Sequence, residues 1–166
     1  MRFIGVDPGQ SGAIAWVDDG GQVQVVKMPE TEREVWDALY GLTVREKFPA
    51  TDDPACIVTY EKLHCFAVIE DVHSMPGQGV SSSFKFGRGY GGLRMALIGL
   101  GIPFRAVTPA KWQKALGCLT AGDKRVSKRR AQELCPGVKV TLVNADALLI
   151  ALYARANAER LMGRES

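Results

Sequence analysis

R-F-I-G-V-D-P-G, residues 2 to 9, is a short apolar run that stops on an acid and a Pro-Gly pair. A run of that length ended by turn residues reads as a strand. G-A-I-A-W-V-D-D (12 to 19), closed by Gly-Gly, and the alternating G-Q-V-Q-V-V-K-M (21 to 28), closed by Pro29, read the same way. Three strands joined by tight turns predict an antiparallel meander at the head of the chain.

Outward from the meander the pattern changes. From Thr31, with Glu34 three residues on as in a capping box, Val35, Trp36, Leu39, Leu42 and Val44 recur at mostly helical spacing. Residues 49 to 64 carry no clear period and read as loop with some local structure. C-F-A-V-I-E-D-V (65 to 72) is a continuous apolar run of the kind that forms a buried strand. A Gly- and Ser-rich loop over 73 to 92 follows, then a helix near G-L-R-M-A-L-I-G-L, a strand at 104 to 109, and a helix opened by Pro109. A basic helix over 123 to 135 and a final helix over 145 to 162 complete the order.

A meander followed by crossovers predicts an α/β fold, a mixed five-stranded sheet flanked by helices. A right-handed crossover sets the strand ending at Glu70 beside the first strand. Asp7 and Glu70 then end parallel neighbours at the edge where open α/β sheets bind ligands. The helix that starts near Asn144, in T-L-V-N-A-D-A-L-L-I-A-L-Y (141 to 153), brings Asp146 to the same edge.

Three carboxylates in one crevice repel unless a cation neutralises them. A hard divalent ion with oxygen ligands answers that need, Mg²⁺ above all, held by carboxylates and substrate phosphate. Each acid also has a plain structural reading: turn chemistry for Asp7, a strand end for Glu70, a favourable first-turn charge for Asp146.

With 166 residues, 46% of them apolar, the chain is sized for one domain. Its charge is divided: residues 1 to 78 hold 13 acids against 6 Lys and Arg, residues 79 to 166 hold 5 against 15, and no acid lies between Asp71 and Asp123. Such asymmetry points to a polyanion, with a solvated basic face as the bland alternative. The cysteines (Cys56, Cys65, Cys118, Cys135) lack zinc spacing and read as reduced thiols. No run suits a membrane span or an export signal, so a cytoplasmic protein is expected. G-R-G-Y-G-G (87 to 92) matches G-x-G-x-x-G but lacks a preceding strand, and the next acid is Asp123. No P-loop occurs either, so no nucleotide cofactor is expected.

The ordered set G-V-D-P-G-Q-S-G-A (5 to 13), V-I-E-D-V (68 to 72), P-G-Q-G-V-S-S-S-F-K-F-G (76 to 87), V-T-P-A-K-W-Q-K (107 to 114), D-K-R-V-S-K-R-R-A (123 to 131) and A-D-A-L-L-I-A (145 to 151) resembles the RuvC-type Holliday-junction resolvases. It looks closest to their bacteriophage and chloroplast branch, and it leaves residues 30 to 64 unmatched. The resemblance implies one RNase H-like nuclease domain, a homodimer, and metal-dependent paired nicking of four-way DNA junctions, with Mg²⁺ as cofactor and Mn²⁺ as substitute. Asp7, Glu70 and Asp146 fall on the family's metal-ligand positions. Relatives commonly add an Asp or His three or four residues before the last acid. Here those positions are Val143 and Leu142, with Asn144 nearby as a weaker candidate ligand.

For DNA contact, the loop offers Lys85 and Arg88 to phosphates and Phe84, Phe86 and Tyr90 to unpaired bases, with Gln78 and Ser82 as further DNA-binding candidates. Core roles for the rings weigh about equally. Lys124, Arg125, Lys128 and Arg129 form a stripe at i, i+4 spacing, and Lys111 and Lys114 flank Trp112, itself better read as core. Leu93, Leu97 and Leu100 are a candidate dimer stripe that also fits a core. His64 and His73 lack metal-ligand spacing. Three other readings stay open: a weakened branched-DNA-binding protein, a nuclease for RNA or RNA–DNA hybrid, and a phosphotransferase-like fold, which usually needs a second such domain.

Overall fold

The computed structural model describes residues 1–47, 59–72, 79–119 and 122–163. Strands β1 (Arg2–Asp7), β2 (Ala13–Asp18) and β3 (Val23–Lys27) form the expected meander, and β6 (Cys65–Glu70) and β7 (Phe104–Val107) complete a five-stranded sheet in the order β3-β2-β1-β6-β7. β1 pairs antiparallel with β2 and parallel with β6, and β7 is parallel to β6. The mixed sheet and its parallel pair are as the order of apolar runs predicts.

Side chains alternate across this sheet. Ile4, Val6, Ile14, Trp16, Ala67 and Ile69 pack into one core layer, with Leu93, Ala96 and Leu97 of α2 (Val80–Gly99) and Leu39 of α1 (Glu32–Thr43). Phe3, Ala13, Ala15, Val17, Phe66 and Val68 pack into the other, under α5 (Ala145–Ala156). By the same alternation Asp7 follows Phe3 and Gly5, and Glu70 follows Phe66 and Val68. Both acids therefore project on the α5 side.

One glycine sets how close α5 comes. A Cβ on Gly5 would stand 2.3 Å from the Ala147 carbonyl oxygen and 2.3 Å from the Ala151 nitrogen. Only a residue without a side chain admits that approach. α5 lies across β1, β2 and β6, with α3 (Pro109–Ala115), α4 (Lys124–Leu134) and α6 (Ala158–Met162) also against it. It is apolar nearly all round because it is covered nearly all round.

Four local expectations are corrected. The segment 80 to 92, expected as loop, is the N-terminal part of the 20-residue α2, and Gly101 (φ +65°) ends that helix with the Gly101 and Ile102 N–H groups donating to Ile98 and Leu97 carbonyls. Val44 belongs to β4 (Val44–Lys47) rather than α1, because it pairs with β5 (Thr59–Lys62) in a separate two-stranded sheet. Leu93 and Leu97 are buried core residues, so the proposed dimer stripe is not a surface. The last helix breaks at Asn157, whose side-chain amide donates to the Tyr153 carbonyl at 2.9 Å. The capping box at Thr31 and Glu34 is present in both directions. Cys65, Cys118 and Cys135 are free and buried; Cys56 lies outside the described residues. Among the described residues no helix is long and apolar enough to cross a membrane.

Candidate active site at the end of the parallel pair

The register of β1 and β6 decides where the first two acids meet. Val6 stands beside Ile69, so Asp7 follows one residue on next to Glu70. The first turn of α5 adds Asp146. Asp7 is buried, and the Asp146 side chain is only 13% exposed.

The electrostatics record this proximity. Burial, then the charge of Asp146, raises the Asp7 carboxyl above its ordinary range, while Lys124 and the Gly9 N–H oppose the shift. Burial and the Asp7 charge push Glu70 up to about 7, against a hydrogen bond from Trp112 and, more weakly, the charge of Lys124. Trp112 Nε1 donates to Glu70 Oε1 at 2.9 Å. Lys124 Nζ lies 3.6 Å from Asp146 Oδ2, and Asp146 Oδ1 is buried without a hydrogen-bond partner among the described residues. Among those residues no three Asp, Glu, His or Cys side chains stand close enough as placed to hold one ion. The acids share an electrostatic site and not a closed coordination shell.

The donor set nonetheless suits a hard divalent cation: carboxylate oxygens, one of them, Asp146 Oδ1, buried and unpaired among the described residues. Asn144 is used otherwise. Its Oδ1 accepts from the Thr141 N–H at 2.7 Å and its Nδ2 donates to the Lys139 carbonyl at 3.1 Å, fixing the turn before α5. Leu142 is 47% exposed, and Val143 half-buried, so neither position adds a polar group.

The other predicted residues separate into groups. Ser82, Phe84, Lys85 and Arg88 lie exposed on the first half of α2; Phe84 is 69% exposed. Phe86 and Tyr90, one turn apart, stack with ring centroids 6.4 Å apart and are partly buried, and Arg88 pairs with Glu32 at 3.3 Å. Lys111 and Lys114 are exposed on α3, on either side of the fully buried Trp112. Arg125 is turned back onto Asp123, the N-cap of its own helix, in two 2.9 Å contacts. Lys128 is half-buried and Arg129 exposed. Gln78 and His73 lie outside the described residues.

Sequence reasoning missed two contacts, the Trp112 hydrogen bond and the Lys124 ion pair. Each joins residues more than 20 positions apart, and neither residue type announces its partner. The polar tip of Trp112 was the available signal, since a buried indole N–H requires an acceptor.

No protein-family model matches the chain, and no curated protein matches its sequence. The arrangement of sheet and helices defines an RNase H-like fold. Within it the chain resembles RuvC. T. thermophilus RuvC in complex with a Holliday junction substrate superposes with a TM-score of 0.60 and 18% identity over 96% of each chain. A Thermus thermophilus RuvC structure superposes with a TM-score of 0.59 and 19% identity over 98% of this chain and 97% of that one. At such identity the likeness establishes the fold.

Proposed function

We propose that the chain is a divalent-metal-dependent endonuclease that resolves four-way DNA junctions by paired nicking, acting as one RNase H-like domain in a homodimer. The observation that carries this is the meeting of Asp7, Glu70 and Asp146 at one end of the parallel pair, on a fold shared with RuvC. Asp7, Glu70 and Asp146 are the residues that would hold Mg²⁺ or Mn²⁺. When bound, the ion supplies Lewis-acid stabilisation of charge on the scissile phosphate. Lys124 stands at the mouth of the group, 56% exposed, and can exchange its Asp146 partner for a phosphate oxygen. Lys111, Lys114, Lys128 and Arg129 supply further phosphate contacts, and the exposed half of α2 offers Ser82, Phe84, Lys85 and Arg88 to an opened junction. Exposed Trp36, Tyr40, Met95 and Ile98 on α1 and α2 replace the leucine stripe as the candidate dimer surface.

The test is cleavage of a labelled four-way junction by the protein, by Asp7→Asn and by Val143→Asp. Mg²⁺- or Mn²⁺-dependent nicks are expected, with a loss of at least about 100-fold in Asp7→Asn while binding persists. A gain in Val143→Asp would show that the acid missing beside Asp146 limits the rate. Unchanged cleavage by Asp7→Asn removes that residue from the chemistry. A second reading, junction binding with weakened catalysis, is favoured by the apolar Leu142 and Val143, and binding without nicking at high protein concentration would select it. RNA and RNA–DNA hybrid offered beside junctions decide substrate class.

A further inference from the structure

We infer that Trp112 is a positioning residue of the proposed metal site: its buried indole N–H holds Glu70 Oε1 and leaves Oε2 as the oxygen open to a cation. This rests on the metal-dependent reading of the three acids. Trp112 is 0% exposed and lies in the core layer with Val107, Ala145 and Leu148. Its ring has no freedom to turn away, and an indole N–H can only donate.

The chain path explains why it reaches. β7 runs parallel to β6 with Val107 beside Glu70, and the Asp71 N–H donates to the Val107 carbonyl at 2.9 Å. Pro109 then opens α3 directly after the strand, which returns residue 112 to the level of Glu70. One donor from a rigid ring, at 2.9 Å, thus fixes one rotamer of a carboxylate at a strand end. Among the described residues no other hydrogen bond holds that side chain. Fixed partners of this kind govern how well a ligand residue binds its metal.

The chain has three tryptophans, Trp16, Trp36 and Trp112, and hence three indole N–H signals in a ¹H–¹⁵N spectrum. Trp16→Phe and Trp36→Phe assign two of them and leave the Trp112 signal in the unaltered protein. Titration with Mg²⁺ is expected to move the Trp112 signal in step with saturation and to leave that of Trp36 in place. Calorimetry with Mn²⁺ is expected to show weaker binding in Trp112→Phe by about 10-fold or more, with metal-free junction binding unchanged. A Trp112 signal that stays fixed through saturation overturns the assignment, whatever Trp112→Phe does and even if that variant does not fold. Wild-type protein that binds no Mn²⁺ overturns the nuclease reading and this one together. Mn²⁺ binding that depends on Asp7 while Trp112 stays silent overturns this one alone.

Discussion

Helices α5 and α2 pack on opposite faces of the same sheet and use small residues to opposite ends. Eight of the 12 residues of α5 are buried, and its alanines meet Gly5 so closely that no Cβ fits between. Only three of the 20 residues of α2 are buried, all in its second half, and among the described residues Gly87, Gly89 and Gly91 have nothing within 4 Å of where a Cβ would be. In the first helix smallness creates contact; in the second it accompanies the lack of contact. The contrast follows the division of work proposed for the two. A carboxylate that must meet two others needs a fixed helix, while a surface that meets DNA needs exposed aromatic and basic groups.

The largest effect that would break the contrast is at Gly5. Gly5→Ala forces β1 and α5 apart and is expected to cost about 3 kcal/mol or more. For a chain of this size that lowers Tm by about 6 to 12 °C, readable by thermal denaturation. If the variant melts with the wild type, the close approach is not a feature of the folded molecule.

Next in size is the pH dependence that the α5 face imposes. Glu70 has an ordinary value of 4.5 and is raised to about 7 in the folded chain. Between those values the unfolded chain has released a proton that the folded chain keeps. Stability of the metal-free protein therefore falls as pH rises from about 4.5 through about 7, and is level above. After discounting for partial exposure the change is on the order of 2 kcal/mol. Melting curves across that range should show the fall, Glu70→Gln should flatten it, and Mg²⁺ should raise Tm more at pH 8 than at pH 5, since the ion needs the ionised carboxylate. A fall of equal size in Glu70→Gln would assign it to other groups.

These two predictions rest on features of unequal legibility. The meander, the parallel pair and the edge where Asp7 and Glu70 meet follow from run lengths, turn residues and the handedness of crossovers, all local or topological rules. The distance of α5 from β1 was not legible, because Gly5 inside an apolar run does not say which helix comes close. The helix over 80 to 92 was hidden for a related reason. Gly87, Gly89, Gly91 and Gly92 carry low helix propensity, and no buried stripe marks the period, so only its continuity with Leu93, Ala96 and Leu97 reveals it. The hairpin of β4 and β5 pairs Val44 with Lys62 and Arg45 with Glu61, with both partners mostly polar and solvent-facing, which leaves no alternation to read.

On the α2 side the expected effect is on binding and not on folding. Phe84 is 69% exposed, so Phe84→Ala removes little packing. If the ring stacks on an unpaired base, junction affinity falls by about 1 to 2 kcal/mol with Tm unchanged. An electrophoretic titration with four-way and linear DNA separates the two cases: equal small losses on both would make Phe84 a bystander.

The smallest effect is the sharpest test of the comparison. At Gly87 an added methyl meets nothing within 4 Å among the described residues, so Gly87→Ala brings only the helix preference of alanine, about 1 kcal/mol. If the exposed half of α2 opens separately from the core, that gain appears locally, as amide-exchange protection in residues 80 to 90 increased about fivefold, while Tm hardly moves. If instead it opens only with the whole molecule, Tm rises with the protection. The first outcome would make Gly5 and Gly87 true opposites: one glycine required by the cooperative core, the other lowering the order of a segment outside it. In that case Gly87→Ala should also tighten junction binding, because less ordering remains to be done when DNA arrives.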